Sequence, residues 1–247
     1  MAIWAIVPAA GIGARMMATT PKQYLQVNGK SVIDHTLSRL LSATQIDGIV
    51  VALHPHDELW HSLGILGNTR VTTCTGGADR CQSVLNALYS LQDRAGEDDW
   101  VLVHDAVRPC VRTSDIEHLL RQIEHHSVGG LLAIPVSSTL KKAGADGSVT
   151  ATLDRRDVWQ AATPQAFRYA ALLKALSAAI ASGSLVTDEA SALELAGHAP
   201  LLVQCSADNI KITYPEDLAL AGLILHAQQC GSETCSRLPI GHTQEPQ

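Results

Sequence analysis

The chain has 247 residues, with 18 Lys and Arg against 24 Asp and Glu, a formal net charge of −6. That balance disfavours broad electrostatic capture of nucleic acid but leaves room for a local basic site for a small anion. Residues are 46% hydrophobic but just 4% aromatic, so Val, Leu, Ile and Ala must build the core, and the length suits one large α/β domain.

No segment approaches the ~20 consecutive apolar residues of a membrane span. The apolar start "MAIWAIVPAAG" lacks the basic n-region of a secretory signal and runs straight into a glycine loop. Cys74, Cys81, Cys110, Cys205, Cys230 and Cys235 form no C-x-x-C pair and read as reduced thiols of a cytoplasmic protein.

In chain order, "IWAIV" (Ile3–Val7) reads as a buried strand. A helix follows over "SVIDHTLSRLLSA", where Ser31 and Asp34 form an S-x-x-D start. "GIVVAL" (Gly48–Leu53) and "RVTTC" (Arg70–Cys74) are strands, and Val84, Leu85, Leu88 and Leu91 mark a second helix. "WVLVH" (Trp100–His104) is the next strand, and a helix starting near Ser114–Glu117 buries Ile116, Leu119, Leu120 and Ile123. "LLAIPV" (Leu131–Val136) is a further strand.

The pattern then breaks at "STLKKAGADGSVTATLDR", where Asp146-Gly147 between strand-like runs signals a hairpin. An isolated hairpin is marginal in water, so this arm, about residues 137–156, is expected to pack against something, such as a second subunit. Helices are expected over "FRYAALLKALSAAIASG", "TDEASALELAG" (capped by Thr187 or Asp188) and "TYPEDLALAGLILHA", and strands over "LLVQC" and "NIKIT". The stretch 230–247 has no clear period and reads as a flexible tail to a single domain over 1–229. The alternation predicts a Rossmann-like, mostly parallel sheet with helices on both faces.

Open α/β sheets bind ligands beyond the carboxyl ends of their strands. There the sequence puts Ala9-Ala10-Gly11-Ile12-Gly13-Ala14-Arg15, then Gly76-Gly77-Ala78-Asp79-Arg80, then Asp105 and Arg108 in "HDAVRP". A dinucleotide fingerprint fails because Met16 replaces the third glycine and strand two ends in Leu53-His54-Pro55, without an acidic residue. No P-loop and no zinc spacing occurs. What remains is a loop whose small residues let backbone N–H groups approach phosphates, with Arg15 and Lys22 adding positive charge. Asp105, directly after a buried strand, is the natural anchor for Mg²⁺, which takes one or two carboxylates plus substrate phosphates. Asp208 is a weaker second carboxylate.

"PAAGIGARM", "PKQYL", "GGADRCQSVLNAL", "VHDAVRP", "ATPQAF", "TDEASALE" and "DNIKITYPEDLALA" together resemble, in order, the 2-C-methyl-D-erythritol 4-phosphate cytidylyltransferase family over about residues 3–228. The resemblance implies transfer of CMP from CTP to 2-C-methyl-D-erythritol 4-phosphate, with release of pyrophosphate, for non-mevalonate isoprenoid synthesis. It implies a nucleotide site at Ala9, Ala10, Gly11, Gly77, Ala78 and Ser83, and catalysis by Arg15, Lys22 and Lys211 with Mg²⁺ on Asp105. It implies an acceptor site of Asp105, Arg108, Thr139, Arg155, Thr163, Thr187 and Lys211, with Thr139 and Arg155 serving the neighbouring subunit of a homodimer joined by the arm. The alternatives are another polyol-phosphate enzyme, such as a ribitol-5-phosphate cytidylyltransferase, and a non-catalytic nucleotide-binding regulator.

Overall fold

The structure is a computed structural model, and it describes residues 1–11 and 20–234, with side chains through 230. Its main sheet has seven strands: β1 (Ile3–Pro8), β4 (Gly48–Leu53), β5 (Val71–Thr75), β6 (Trp100–Val103), β7 (Gly129–Pro135), β10 (Trp159–Arg168) and β11 (Leu201–Gln204). Their order is β11-β7-β10-β6-β1-β4-β5. All run parallel except β10, which pairs antiparallel with β6 and β7.

The central strands are apolar on both faces because helices cover both. Successive residues point to opposite sides. Ala5, Val7, Ile49, Val51 and Leu102 pack against Ile33, Leu37 and Leu40 of α1 (Val32–Ser42) and Ile116, Leu119 and Ile123 of α3 (Thr113–Ile123). Trp4, Ile6, Val50, Val101 and Val103 pack against α2 (Arg80–Ser90), α4 (Tyr169–Ala181) and α5 (Glu189–Leu195). A smaller cluster, including Val27, Val107, Cys110, Ile212 and Leu225, lies under α6 (Pro215–Thr234).

The local signals act much as the sequence implies. Ser31 caps α1 by accepting from Asp34 N at 3.2 Å. Asp188, not Thr187, caps α5, in a reciprocal capping box with Ser191. Gly183, at φ +64°, follows the end of α4. The Ser114–Glu117 start signal is not used: α3 begins at Thr113, and Asp115 instead accepts from Ser206 N at 3.0 Å. "NIKIT" forms no strand; its Ile212 N–H donates to Val107 O at 2.9 Å from irregular backbone.

The largest difference is β10. Phe167 and Arg168 belong to this strand rather than to the following helix, and its residues Ala162–Phe167 are buried in mid-sheet. Because β10 is antiparallel, it starts at the rim where the parallel strands end. The arm leaves that rim between β7 and β10 as β8 (Leu140–Ala143) and β9 (Val149–Leu153), a separate two-stranded sheet. Its turn spans 144–148, with Gly147 at φ +81° and Asp146 Oδ1 accepting from Ser148 N. A further small hairpin, β2 (Gln26–Val27) and β3 (Lys30–Ser31), turns through Asn28 and Gly29, both at positive φ.

Helix α6 continues past Gln229 to Thr234, so the first part of the stretch read as a tail is helical; residues 235–247 lie outside the described residues. Cys74, Cys81, Cys110 and Cys205 are free thiols. Among the described residues no helix is long and apolar enough to cross a membrane.

Candidate active site

From β1 the chain moves outward to β4 and β5, then crosses back to β6 on the other side of β1. The crevice of an open α/β sheet forms at such a reversal. Here it is a cavity of about 370 Å³, lined by Pro8 at the end of β1 and Ala9–Gly11 after it, Gly77–Arg80 and Ser83 after β5, Asp105–Val107 after β6, and Lys22, Gln23 and Lys211. Ala9, Ala10, Gly11, Gly77, Ala78, Ser83, Lys22, Asp105 and Lys211, all expected from sequence, thus share one cleft.

The loops are braced from within. Buried Gln23 donates to Ala9 O at 2.8 Å and to Gly11 O at 3.1 Å. The Ser83 hydroxyl donates to Asp79 O at 2.7 Å and accepts from Gly77 N at 3.0 Å. The glycines differ in kind. A Cβ on Gly76 would meet Ala10 Cβ at 2.5 Å, and one on Gly77 would collide with Gln82, so both are bare for packing. Among the described residues a Cβ on Gly11 would meet nothing within 4 Å.

Asp105 is the electrostatic centre. Its side chain is 7% exposed; Oδ1 is 3.0 Å from Arg80 Nε, and Oδ2 is 2.9 Å from Lys211 Nζ and 3.4 Å from Arg108 Nε. Burial raises the Asp105 pKa, but Arg80, Lys211 and Arg108 outweigh it and hold the carboxyl well below the usual range. Lys22 Nζ donates to Ile212 O at 3.3 Å, one residue from Lys211, so the two lysines converge on the same wall. Thr163 is buried beside Asp105: its Oγ1 accepts from Asp105 N at 3.1 Å and meets His104 Nδ1 at 2.9 Å. The other His104 nitrogen meets Arg108 O at 3.1 Å, and burial lowers this imidazole to about 4, so it is neutral at pH 7.

The remaining expected residues lie apart from the cavity wall. Arg108 donates to Asn209 O at 2.7 Å behind Asp105. Thr187 is exposed just before the Asp188 cap, and Thr139 and Arg155 are exposed at the base of the arm. Arg15 lies outside the described residues. Asp208 is paired with Arg112 at 2.6 Å and accepts from Gln228, away from the cavity wall.

Sequence reasoning missed Arg80 and Glu189 as site residues. Arg80 donates through Nε to Asp105 and through Nη1 and Nη2 to Glu189, at 2.6 and 3.0 Å. Arg80 stands in the quoted glycine segment, but its partner is 109 positions away, and nothing local in "TDEASALE" announces a buried carboxylate.

Among the described residues, no three His, Cys, Asp or Glu side chains gather where they could hold a metal ion. Asp79 and Asp105 are the carboxylates on the cavity wall, and both Asp105 oxygens already face Arg80, Lys211 and Arg108.

Comparison with known proteins finds relatives over most of the chain. The family model for 2-C-methyl-D-erythritol 4-phosphate cytidylyltransferase matches residues 3–227. The protein of that name from Pseudomonas entomophila (strain L48) is 51% identical over 218 residues, covering 88% of this chain and 93% of the relative. A crystal structure of the Francisella tularensis enzyme of that name superposes with a TM-score of 0.79 at 39% identity, covering 91% of this chain and all of that one. A crystal structure of a 4-diphosphocytidyl-2C-methyl-D-erythritol synthase gives a TM-score of 0.80 at 36% identity, over 91% and 98% of the two chains. With the match running through both glycine segments, the Asp105 rim and the lysine-bearing loop, the chain belongs to the 2-C-methyl-D-erythritol 4-phosphate cytidylyltransferase family.

Proposed function

We propose that the chain transfers CMP from CTP to 2-C-methyl-D-erythritol 4-phosphate, giving 4-diphosphocytidyl-2-C-methyl-D-erythritol and pyrophosphate. The observation that carries this reading is the single cleft in which the bare Gly11 backbone, the braced Gly77–Ser83 loop, Lys22, Lys211 and Asp105 meet. A cavity of this size and mixed lining is in the range of small-molecule sites.

In the reaction an oxygen of the acceptor phosphate forms a bond to the α-phosphorus of CTP. The bond from that phosphorus to the bridging oxygen breaks, and pyrophosphate leaves with the electron pair. Both reactants are anions, so the protein's task is to neutralise charge and hold the groups in line. The acceptor phosphate is already ionised, so no general base and no covalent enzyme intermediate is required. Ala9, Ala10, Gly11, Gly77, Ala78 and Ser83 hold the nucleotide, their small size letting backbone groups read a pyrimidine edge. Lys22 and Arg15 stabilise charge on the α-phosphate and the departing pyrophosphate; Arg15 is assigned by family resemblance. Lys211, held by Asp105, orients the acceptor phosphate, with Arg108, Thr163 and Thr187 on that side. Asp105 would be the carboxylate closest to a Mg²⁺ bound with CTP, which would supply charge neutralisation at the phosphate oxygens.

The arm supports a homodimer. All five residues of β9 are exposed, and Val149 and Leu153 are 64% and 46% exposed, an apolar strip that a second copy would cover. Thr139 and Arg155 would then serve the neighbour's site. We further read residues 1–229 as one domain and the protein as cytoplasmic, acting on CTP and the polyol phosphate without nucleic acid or membrane.

Pyrophosphate release with CTP and Mg²⁺ against a panel of polyol phosphates tests the proposal. Release with 2-C-methyl-D-erythritol 4-phosphate is expected. Release with ribitol 5-phosphate alone would reassign the acceptor, and CTP binding without release from any acceptor would make the protein a nucleotide-binding regulator.

A further inference from the structure

Arg80 has all three guanidinium nitrogens engaged by carboxylates: Nε by Asp105, Nη1 and Nη2 by Glu189. It lines the cavity, and three of its five N–H donors are taken by these carboxylates. Its partners lie on separate elements. Arg80 opens α2, at the end of the nucleotide loop; Asp105 follows β6; Glu189 is the first residue of α5, two after Thr187.

Glu189 is 1% exposed and Asp105 6%, and two carboxylates buried side by side would repel each other and a triphosphate. The planar fork of one arginine satisfies both and fixes their spacing; a lysine, with a single point charge, cannot span them in the same geometry. The far side of α5 is fixed as well. Gln165 of β10 donates to Asp188 Oδ2 at 2.8 Å and accepts from Ala190 N at 2.9 Å. The start of α5 is thus pinned between β10 and α2. Asp105 in turn holds Lys211 and Arg108 through its other oxygen.

We propose that Arg80 and Glu189 are a positioning pair that sets the distance between the nucleotide loop and the acceptor side, through Asp105 to Lys211 and through α5 to Thr187. In this proposal both act through their partners on Lys211 and α5, not by contact with substrate. This inference rests on the cytidylyl-transfer reading above, and it adds two residues that reading does not use.

The test uses the full-length enzyme with Glu189→Gln, Arg80→Lys and the double variant. Steady-state kinetics for both substrates are read beside CTP affinity by calorimetry and thermal melting. Displacement of a reacting group by about 1 Å costs on the order of 100-fold in rate. Each single variant is therefore expected to lose about 10- to 100-fold in kcat while its CTP Kd stays within about threefold, a split that a general loss of folding does not produce. The double variant is expected within about threefold of the slower single, because residues acting as one device are not additive. Arg80 is 28% exposed, so Arg80→Lys probes the link even if Glu189→Gln folds poorly. Unchanged kcat in folded variants overturns the proposal. So does a rise in CTP Kd that matches the fall in kcat, or collapse of folding in every variant, either of which makes the pair a structural tie. An inactive wild type in the same assay fails the cytidylyl-transfer reading itself and takes the pair's role with it.

Discussion

Replacing Asp105 by Asn removes one charge and almost no volume from the centre of the site. The Asp105 carboxylate has cations at 2.9, 3.0 and 3.4 Å. A unit pair at such distances is worth about 5 kcal/mol gross at an effective dielectric near 20. Taking a carboxylate out of water costs several kcal/mol in return. Lys211 and Arg80 are 37% and 28% exposed, so solvent screens their share. Removing one partner of a buried pair costs about 3–5 kcal/mol. Arg80 keeps Glu189, so the lower end applies, and Asp105→Asn is expected to lose about 3 kcal/mol in urea unfolding at neutral pH. The sign with pH follows from the direction of the shift. Asp105 titrates below its unfolded value, so its contribution is present above pH ~4 and lost as pH falls further; the gap between wild type and variant should narrow in acid. A loss under ~1 kcal/mol at pH 7, or a gap that widens in acid, would refute the view that three cations depend on this carboxylate.

Other outcomes follow from the same geometry. Lys22→Ala should lower kcat by about 10²–10³, as for loss of one preorganised contact, with circular dichroism unchanged; near-normal turnover in the folded variant removes Lys22 from the catalytic set. Mixing Lys22→Ala with Arg155→Ala chains should restore about a quarter of wild-type activity after subunit exchange, since half the dimers are mixed and each has one intact site. No recovery under proven exchange counts against arm-mediated sharing. His104 is neutral when folded down to about pH 4, whereas an unfolded histidine takes its proton near 6.5. Its burial therefore costs nothing above pH 6.5 and weakens the fold by up to about 3 kcal/mol as pH falls from 6.5 to 4. His104→Gln should flatten that part of the curve of melting temperature against pH, and a curve of unchanged slope argues against it.

The sheet was legible where strands are buried on both faces and helices carry a 3.6 period, as in "IWAIV", "GIVVAL" and α1. β10 was not, because "WQAATPQAFR" contains Pro164 and small residues, and proline argues against a central strand. Here the proline sits inside the register shift between Ala161 and Gln165, where no ladder bond is needed. The two-residue strands β2 and β3 carry no period, although the Asn28-Gly29 turn between them is a standard hairpin signal. In the site, residues that follow strands were readable from position alone: Gly11, Gly77 and Asp105. The ring of charge around Asp105 was not, since Arg80, Lys211 and Glu189 come together only through the fold. The same holds for Thr163, whose neighbour Asp105 lies 58 positions away across the β6–β10 pairing.

The central claim is direct transfer between two substrates held in one cleft, and following the oxygen tests it. Acceptor 2-C-methyl-D-erythritol 4-phosphate, ¹⁸O-labelled in its phosphate, is incubated with CTP, Mg²⁺ and the enzyme, and both products are analysed by mass spectrometry. Attack by the acceptor phosphate on the α-phosphorus predicts a CDP-linked product that keeps every labelled oxygen, with unlabelled pyrophosphate. Label in the pyrophosphate, or no CDP-linked product from an enzyme that binds CTP, would contradict it.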